Sequence, residues 1–161
     1  MAKKLLRVTA MLLVMALLLC ACGTKDKNFS SNGLTMQLPG NYKPLSSEDS
    51  AGYTFAMGSN KSIIMGLKEE KSVFEAYGVS LTLEDYTDLV ILNNGIDVTV
   101  TYESGIPTFT FISNVDGTNF KYVAATFEGT DAFWLLQFAC EESNFDSMYE
   151  RFIQYLTTVT V

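Results

Sequence analysis

Alternating apolar and polar residues mark several stretches of the chain as β-strands with one buried face. In "GLTMQLP", at 33–39, every second residue is apolar, and the Pro-Gly pair at 39–40 ends the strand. The segments "YTFAMG" at 53–58 and "KSIIMGLKE" at 61–69 are separated by turn-forming residues and predict a hairpin.

A further group of strands is predicted as an antiparallel meander in the second half of the chain. Its members are "IDVTVTYES" at 96–104, "PTFTFISNV" at 107–115, "NFKYVAATFEG" at 119–129 and "AFWLLQFAC" at 132–140. Asp116-Gly117 predicts a tight turn. The alternation disappears in the last strand, and a near-continuous apolar strand is usually covered on both faces. That strand predicts a sheet with helices on both sides.

Two segments carry apolar residues at helical spacing, "LTLEDYTDLVILNNG" at 81–95 and "SNFDSMYERFIQYLTTV" at 143–159. Thr82 is a good N-cap for the first helix, and Asp85 stands three residues on, as an imperfect capping box. The same signature, Ser followed three residues later by Asp, repeats at the start of the second helix. A β-rich tail, "TTVTV", ends the sequence and offers one more edge strand.

This order of strand, hairpin, helix, meander, helix and tail resembles the Mog1/PsbP-like α/β/α sandwich, which recurs among small bacterial lipoproteins of unassigned function. The resemblance rests on "FSSNGLTMQLPGNY" at 29–42, "LTLEDYTDLVI" at 81–91 and "FDSMYERFIQYLTTVTV" at 145–161. It implies an α+β fold in which helices cover both faces of an antiparallel sheet of about six or seven strands. A cystatin- or NTF2-like α+β fold is the alternative.

The resemblance also implies a kind of function, because the named members of that family act through protein partners. One binds a small nuclear GTPase and others dock on photosystem II, and neither role transfers to a bacterial surface protein. No functional residue of those members can be matched to this chain. The resemblance therefore implies a non-enzymatic module without naming its partner.

The first 21 residues have the pattern of a secretory signal, with three basic residues among the first seven and an apolar run from Val8 to Leu19. The run is shorter than the roughly 20 residues of a membrane span. Leu19-Cys20-Ala21-Cys22 resembles the lipobox of bacterial lipoproteins, with Cys22 in the modified position between two small residues. Cys20 fits poorly, because Leu19 would take the place of the small residue. Cys22 is the predicted lipidation site, and a plain secreted protein is the alternative.

These patterns divide the chain into a lipoprotein signal peptide at 1–21, a lipidated cysteine with a polar tether at 22–28, and a single α+β domain at 29–161. Each buried CH₂ of an acyl chain contributes roughly 0.8 kcal/mol, so several chains on one cysteine hold a protein firmly. The predicted location is the extracytoplasmic face of the membrane in the cell envelope. The tether is short enough to keep the domain within a few nanometres of the bilayer.

Charge limits the classes of partner. The chain has 161 residues with 11 basic and 18 acidic side chains, and three of the basic ones lie in the predicted signal peptide, which leaves a net charge of −10. An acidic chain without histidine lacks the basic surface that nucleic acids require, and it is a poor match for an anionic membrane surface. The excess of carboxylates is typical of a solvated, soluble surface.

The sequence offers little that could carry catalysis or hold a metal. Histidine is absent, so Cys140 has no ordinary base partner, and its apolar neighbours predict a buried, inert thiol. No phosphate loop, nucleophile elbow or zinc motif is present. The "NVDGTN" stretch at 114–119 has oxygen ligands, but hairpin turns use the same residues. Three acidic clusters fit structural roles, namely Glu69-Glu70, Glu84-Asp85-Asp88 and Glu141-Glu142. We predict no catalytic residue, no metal site and no cofactor.

The preferred hypothesis is a non-enzymatic, membrane-anchored binding or accessory module that acts through an envelope protein partner. It predicts a contiguous exposed apolar or aromatic patch. A small-ligand-binding lipoprotein, with a pocket between helix and sheet, is the alternative, and an enzyme that uses carboxylates is the third. Trp134 is predicted to be core, whereas exposure of Tyr42, Tyr53 and Tyr77 stays open. Apart from Cys22, the sequence assigns no site residue.

Overall fold

The computed structural model describes residues 25–161, so the predicted signal peptide and Cys22 lie outside the described residues. Within that range no helix is long and apolar enough to cross a membrane. The strands are β1 (Asp26–Ser31), β2 (Leu34–Pro39), β3 (Lys43–Pro44), β4 (Phe55–Gly58), β5 (Ile63–Glu70), β6 (Thr101–Glu103), β7 (Ile106–Val115), β8 (Thr118–Glu128) and β9 (Ala132–Glu141). The helices are α1 (Lys71–Glu75), α2 (Leu83–Asn93) and α3 (Phe145–Leu156), with a 3-10 turn at Glu142–Asn144 before α3.

Seven strands of the described chain form one antiparallel sheet in the order β3-β4-β5-β9-β8-β7-β6. Strands β7, β8 and β9 follow one another as a meander, and β5 pairs with the other side of β9. Strands β1 and β2 form a separate hairpin. Helices pack on both faces of the sheet. The predicted α+β class and the antiparallel sheet covered on both faces are confirmed.

Strand β9 is buried on both faces over nearly its whole length. Trp134 and Leu136 belong to the core on the first face of the sheet, and Phe133 and Leu135 belong to the core on the second face. Successive side chains of a strand point to opposite faces. The loss of alternation in the sequence therefore reflects two layers packed on one strand, as predicted.

The first face is covered by α3 and by the β1–β2 hairpin. Amphipathic α3 buries residues at helical spacing, namely Phe145, Met148, Phe152 and Leu156. The alternating residues of β2 are fully buried in the same cluster, namely Leu34, Met36 and Leu38. The end of the chain joins this layer, because Thr160 and Thr35 exchange backbone hydrogen bonds of 2.8 and 2.9 Å.

The second face is covered by α2 and the shorter α1. The ring of Tyr86 in α2 stacks on Phe133 of β9, with 4.7 Å between the ring centroids. Val90 follows one turn later and is buried in the same cluster. The hydroxyls of Thr87 and Thr126 are 2.6 Å apart and form a buried hydrogen bond between helix and sheet. This contact gives both hydroxyls a hydrogen-bond partner, which offsets the cost of removing them from water.

Helix α2 begins with a complete capping box at Thr82 and Asp85. Thr82 Oγ1 accepts a hydrogen bond from the Asp85 N–H at 3.1 Å, and the Asp85 carboxylate accepts from the Thr82 N–H at 2.9 Å. The Thr82 hydroxyl donates to the same carboxylate oxygen at 2.7 Å. These bonds favour the charged form and lower the pKa of Asp85. The box predicted as imperfect is therefore fully reciprocal, although Asp replaces the usual Glu.

The strand predicted at 96–104 is wrong over its first half. Only Thr101–Glu103 pairs with β7, and residues 96–100 lie outside the ladder. Ile96 and Val98 pack against the second-face cluster beside α2. Their alternation describes an extended chain that buries one side against a helix, and periodicity alone does not distinguish that from a paired strand.

Both chain-terminal predictions need adjustment. Strand β1 begins at Asp26, inside the stretch predicted as tether at 22–28, and pairs residue for residue with β2.

The capping signature predicted from Ser143 is wrong, because Ser143 lies in the 3-10 turn and Asn144 is the N-cap of α3 without a side-chain bond. The first turn of α3 is instead preceded by the 3-10 turn, a common helix start.

We expect Phe152→Ala to lower the free energy of unfolding by about 3–5 kcal/mol, because it removes a fully buried ring from the first-face core. Urea unfolding followed by circular dichroism measures this. Leu92→Ala, at an α2 position that is 76% exposed, is the control and should change the value by less than about 0.5 kcal/mol. Equal losses in the two variants would contradict the assigned core.

Thr82→Ala should lower the free energy of unfolding by about 1 kcal/mol, because it removes the hydroxyl that caps α2. Thr82→Ser keeps a hydroxyl in the same place and should retain most of the stability. Urea unfolding of the three proteins in parallel measures both. If the Ser variant lost as much as the Ala variant, the hydroxyl would not be the stabilising group.

Candidate functional site

The carboxylates that the sequence singles out do not converge on one site. Glu69 and Glu70 point to opposite faces of β5, where Glu69 accepts a hydrogen bond from the Tyr86 hydroxyl at 2.6 Å and Glu70 pairs with Lys68 at 2.7 Å. Glu84 and Asp85 lie in the first turn of α2, where the helix dipole favours negative charge. Among the described residues, no group of three Asp, Glu, Cys or His side chains could hold a metal ion.

The stretch at 114–119 forms the turn between β7 and β8. Asp116 and Gly117 have φ values of 51° and 84°, as a two-residue hairpin turn requires. The Asn114 side-chain oxygen accepts a hydrogen bond from the Gly117 N–H at 3.0 Å, and Asn119 donates to Glu142 at 3.0 Å. The polar groups of this stretch stabilise the turn, as the sequence predicts.

The remaining candidates separate into core and surface. Cys140 and Trp134 are 1% and 2% exposed, and burial raises the pKa of the Cys140 thiol, so the thiol stays protonated. Tyr42 is buried, and its hydroxyl lies 2.6 Å from that of Ser62. Tyr77 is 84% exposed on a loop. Only Tyr53, which is half-buried, lines a groove on the second face of the sheet.

That groove exists because α2 covers only part of the second face. Helix α2 has 11 residues and is about 16 Å long, whereas β8 also has 11 residues and extends about 37 Å. The part of the sheet beyond α2 carries a mostly aromatic cluster made of Tyr53, Ile63, Met65, Phe111, Phe120, Tyr122 and Ala139. Phe111 and Tyr122 stack across the β7–β8 pair with 4.6 Å between centroids.

The space between this cluster and the C-terminal end of α2, here called the aromatic groove, has a volume of about 320 Å³. Its walls include Phe111 and Tyr122, and its polar groups include Asn94 and Gln137. Asn94 donates to the Val90 carbonyl at 2.8 Å, which holds it at the end of the helix. Aromatic walls with few polar groups occur both in small-ligand sites and in the cores of protein interfaces.

Tyr122 and Tyr86 on this face are neutral at physiological pH. Burial raises the pKa of Tyr122, and the neighbouring Tyr53 adds to that effect. Burial also raises the pKa of Tyr86, whose hydroxyl donates to Glu69. The aromatic groove therefore presents uncharged rings, which favour an apolar occupant over an ionic one.

Strand β7 borders the aromatic groove and leaves an open edge. Strand β6 pairs with β7 only as far as Thr108, so the outer side of residues 109–115 has no partner strand in the described chain. The sequence of this edge, "FTFISNV", contains no charge and no proline. Ile112 and Val115 are 50% and 45% exposed. A bare edge of this kind is a template for pairing with another strand.

The opposite edge of the sheet is protected. Strand β3 has two residues, Lys43 and Pro44, and both are exposed. A short strand, a lysine and a proline are three of the devices by which proteins prevent pairing at an edge. The two edges of the sheet thus differ: β7 offers a run of unpaired backbone groups to a further strand, whereas the two residues of β3 do not.

A second apolar groove, here called the outer groove, runs between α2 and residues 96–100, with a volume of about 830 Å³. Leu92 is its most exposed apolar side chain, and Asp88 lies on its rim. The sequence analysis predicted neither this groove nor the open β7 edge. A strand over the whole of 96–104 would have paired along β7 and left neither of them open.

The described fold is similar to that of solved structures at low sequence identity. The solution structure of cyanobacterial PsbP (CyanoP) from Synechocystis sp. PCC 6803 matches with a TM-score of 0.56 and 14% identity, covering 88% of this chain and 95% of that one. A crystal structure from Bacteroides thetaiotaomicron VPI-5482 matches with a TM-score of 0.54 and 13% identity, covering 84% of this chain and 48% of the other.

No protein-family model and no curated protein matches the chain. At 13% and 14% identity the structural matches show a common fold and do not define a function. The fold that the sequence resemblance implied is thus confirmed as PsbP-like by an independent comparison of backbones.

Proposed function

We propose that this protein is a membrane-anchored, non-enzymatic accessory module that binds an extended segment of another cell-envelope protein along strand β7. The observation that carries the proposal is the unpaired edge at 109–115, which has neither charge nor proline. The resemblance to a fold whose members act through protein partners supports the same class of function. Catalysis has no support from the carboxylates, which are separated and engaged in structural contacts.

The edge and the aromatic groove together fit an added strand. Backbone groups of β7 would supply main-chain hydrogen bonds, which give affinity without regard to sequence. Alternate side chains of the added strand would point to the second face, towards Phe111 and Tyr122. The expected partner segment therefore has apolar or aromatic residues at every second position. This arrangement is the β-augmentation mode of peptide recognition.

The anchor follows from the lipobox resemblance at 19–22. Strand β1 begins at Asp26, so only three residues separate Cys22 from the folded domain. Three residues can span at most about 10 Å, which would hold the domain against the bilayer. A partner reached from that position would itself be a membrane or envelope protein.

A small-ligand-binding function is a second candidate, favoured by the aromatic groove alone. Its volume of about 320 Å³ lies at the lower limit of small-molecule sites. A ligand that occupied it would raise the melting temperature in proportion to the logarithm of its free concentration above Kd. A ligand in the aromatic groove would leave the backbone edge of β7 free, so it would not displace a partner that pairs with that edge.

Cys22→Ser should abolish incorporation of a fatty-acid analogue and release the protein from the membrane fraction, because the substitution removes the thiol to which lipid attaches. Metabolic labelling in the native cells, followed by fractionation, measures both effects. Cys20→Ser is the matched control and should keep label and location. Label retained in the Cys22→Ser variant would overturn the anchor assignment.

The double variant Thr110→Lys/Ile112→Lys should reduce cross-linking to the partner by roughly tenfold, because lysines on an edge strand oppose the addition of another strand. Both side chains are exposed, so the fold should be unaffected. The measurement is cross-linking of the tagged full chain in its native cells, with quantitative mass spectrometry of the attached protein.

Leu92→Lys is the control for this experiment, since Leu92 lies in the outer groove and is 76% exposed. Loss of cross-linking in the control but not in the edge variant would move the interface to the outer groove and contradict pairing along β7. A cross-linked product of two copies of this chain would show that the edge pairs with itself, which also contradicts the proposal.

A further inference from the structure

The cations of the described chain are unevenly distributed. Lys68 and Lys71 form ion pairs of 2.7 Å with Glu70 and Glu128, and Lys121 lies over the ring of Phe145. In residues 25–161 no other cation lies within ion-pair distance of a carboxylate. Those remaining are Lys25, Lys27, Lys43, Lys61 and Arg151.

These five cations lie on one flank of the domain, where β1 begins. The Lys25 carbonyl accepts a hydrogen bond from the Gly40 N–H at 3.1 Å, and the Lys27 side chain runs close over Gly40. Lys43 pairs across the sheet with Gly58, at the start of the turn that contains Lys61. The chain has a large excess of carboxylates, which already favours solubility. Solubility therefore does not explain why these five cations are grouped.

Lys61 and Arg151 line a common cleft of about 450 Å³ between α3, the β1–β2 hairpin and the β4–β5 turn. Neutral hydrogen-bonding groups surround them, among them Ser59, Asn60 and Gln154. Asp26 is the one carboxylate that lines the cleft. Lined by two cations and one anion, the cleft is cationic on balance, and the neighbouring lysines add to that charge.

The charge of Arg151 acts directly on the wall of the cleft. Burial raises the pKa of Tyr42, and the positive charge of Arg151 partly offsets that rise. Burial likewise raises the pKa of Tyr155 to about 12, and its ring meets that of Tyr42 edge to face at 6.1 Å. Arg151 therefore shares the cleft with a pair of packed aromatic rings.

We propose that this cleft binds a phosphate group, with Arg151 and Lys61 as its charged contacts and Asn60 and Gln154 as neutral donors. The planar guanidinium can hold two phosphate oxygens at once, and a lysine beside it adds a point charge. The source is either the headgroup of an anionic lipid or a soluble phosphate compound. This inference does not depend on the β7 edge, which lies at the other end of the strand order.

The test is isothermal titration calorimetry on the full chain purified in a neutral detergent. One arm uses inorganic phosphate at constant ionic strength, and the other uses mixed micelles that contain phosphatidylglycerol or, for comparison, phosphatidylcholine. Arg151→Gln and Lys61→Gln should each weaken binding by about tenfold or more, because each removes a charged hydrogen-bond donor. Lys68→Gln, at a partly exposed ion pair elsewhere on the sheet, is the control and should bind as the unchanged protein does.

Binding of inorganic phosphate that is lost in both cleft variants would support a soluble phosphate compound. Binding only to phosphatidylglycerol micelles, lost in the same two variants, would support a lipid headgroup. No binding in either arm would overturn the proposal. So would binding that survives both cleft substitutions, or that falls equally in the Lys68→Gln control. Thermal unfolding of each variant checks that the fold is retained, which we expect because Arg151 and Lys61 are exposed.

Discussion

The burial of β9 on both faces is the constraint on which the rest of this structure depends. A strand with no polar face must be covered by two layers, and here α3 with the β1–β2 hairpin forms one layer and α2 with α1 forms the other. The first layer combines a helix with a hairpin, whereas α2 is shorter than the strands it packs on. The aromatic groove is therefore a consequence of unequal layers over a single central strand.

The sheet's two edges show how one fold can be closed on one side and open on the other. At β3 a lysine and a proline in a two-residue strand end the ladder. At β7 the ladder to β6 ends after three residue pairs, and the strand then continues unpaired to Val115. The cationic cleft lies near the protected edge, because Lys43 belongs to β3 and Lys61 follows β4. Recognition of a strand and of an anion would thus occur on separate flanks.

The sequence predicted most of the fold because its signals were local. Alternation in β2, the apolar run of β9 and the cap at Thr82 each fix an element by short-range chemistry. The candidate surfaces were not predictable in this way, because they depend on where α2 and β6 end relative to the strands beside them. Residues 96–100 alternate as a strand does, yet they pack beside α2, and the open β7 edge follows from that choice. The cationic flank combines five residues from four separate places in the chain.

The contact between Thr35 and Thr160 joins the two ends of the folded domain. The first-face core likewise combines β2, near the start, with α3, near the end. Contacts so distant in sequence close late, because the entropy of the intervening loop must be lost before they form. Because the ribosome makes the chain from its N-terminus, the first-face core cannot be completed until α3 has left the ribosome. Any process that acts on the unfolded chain would therefore find this core incomplete until α3 is available.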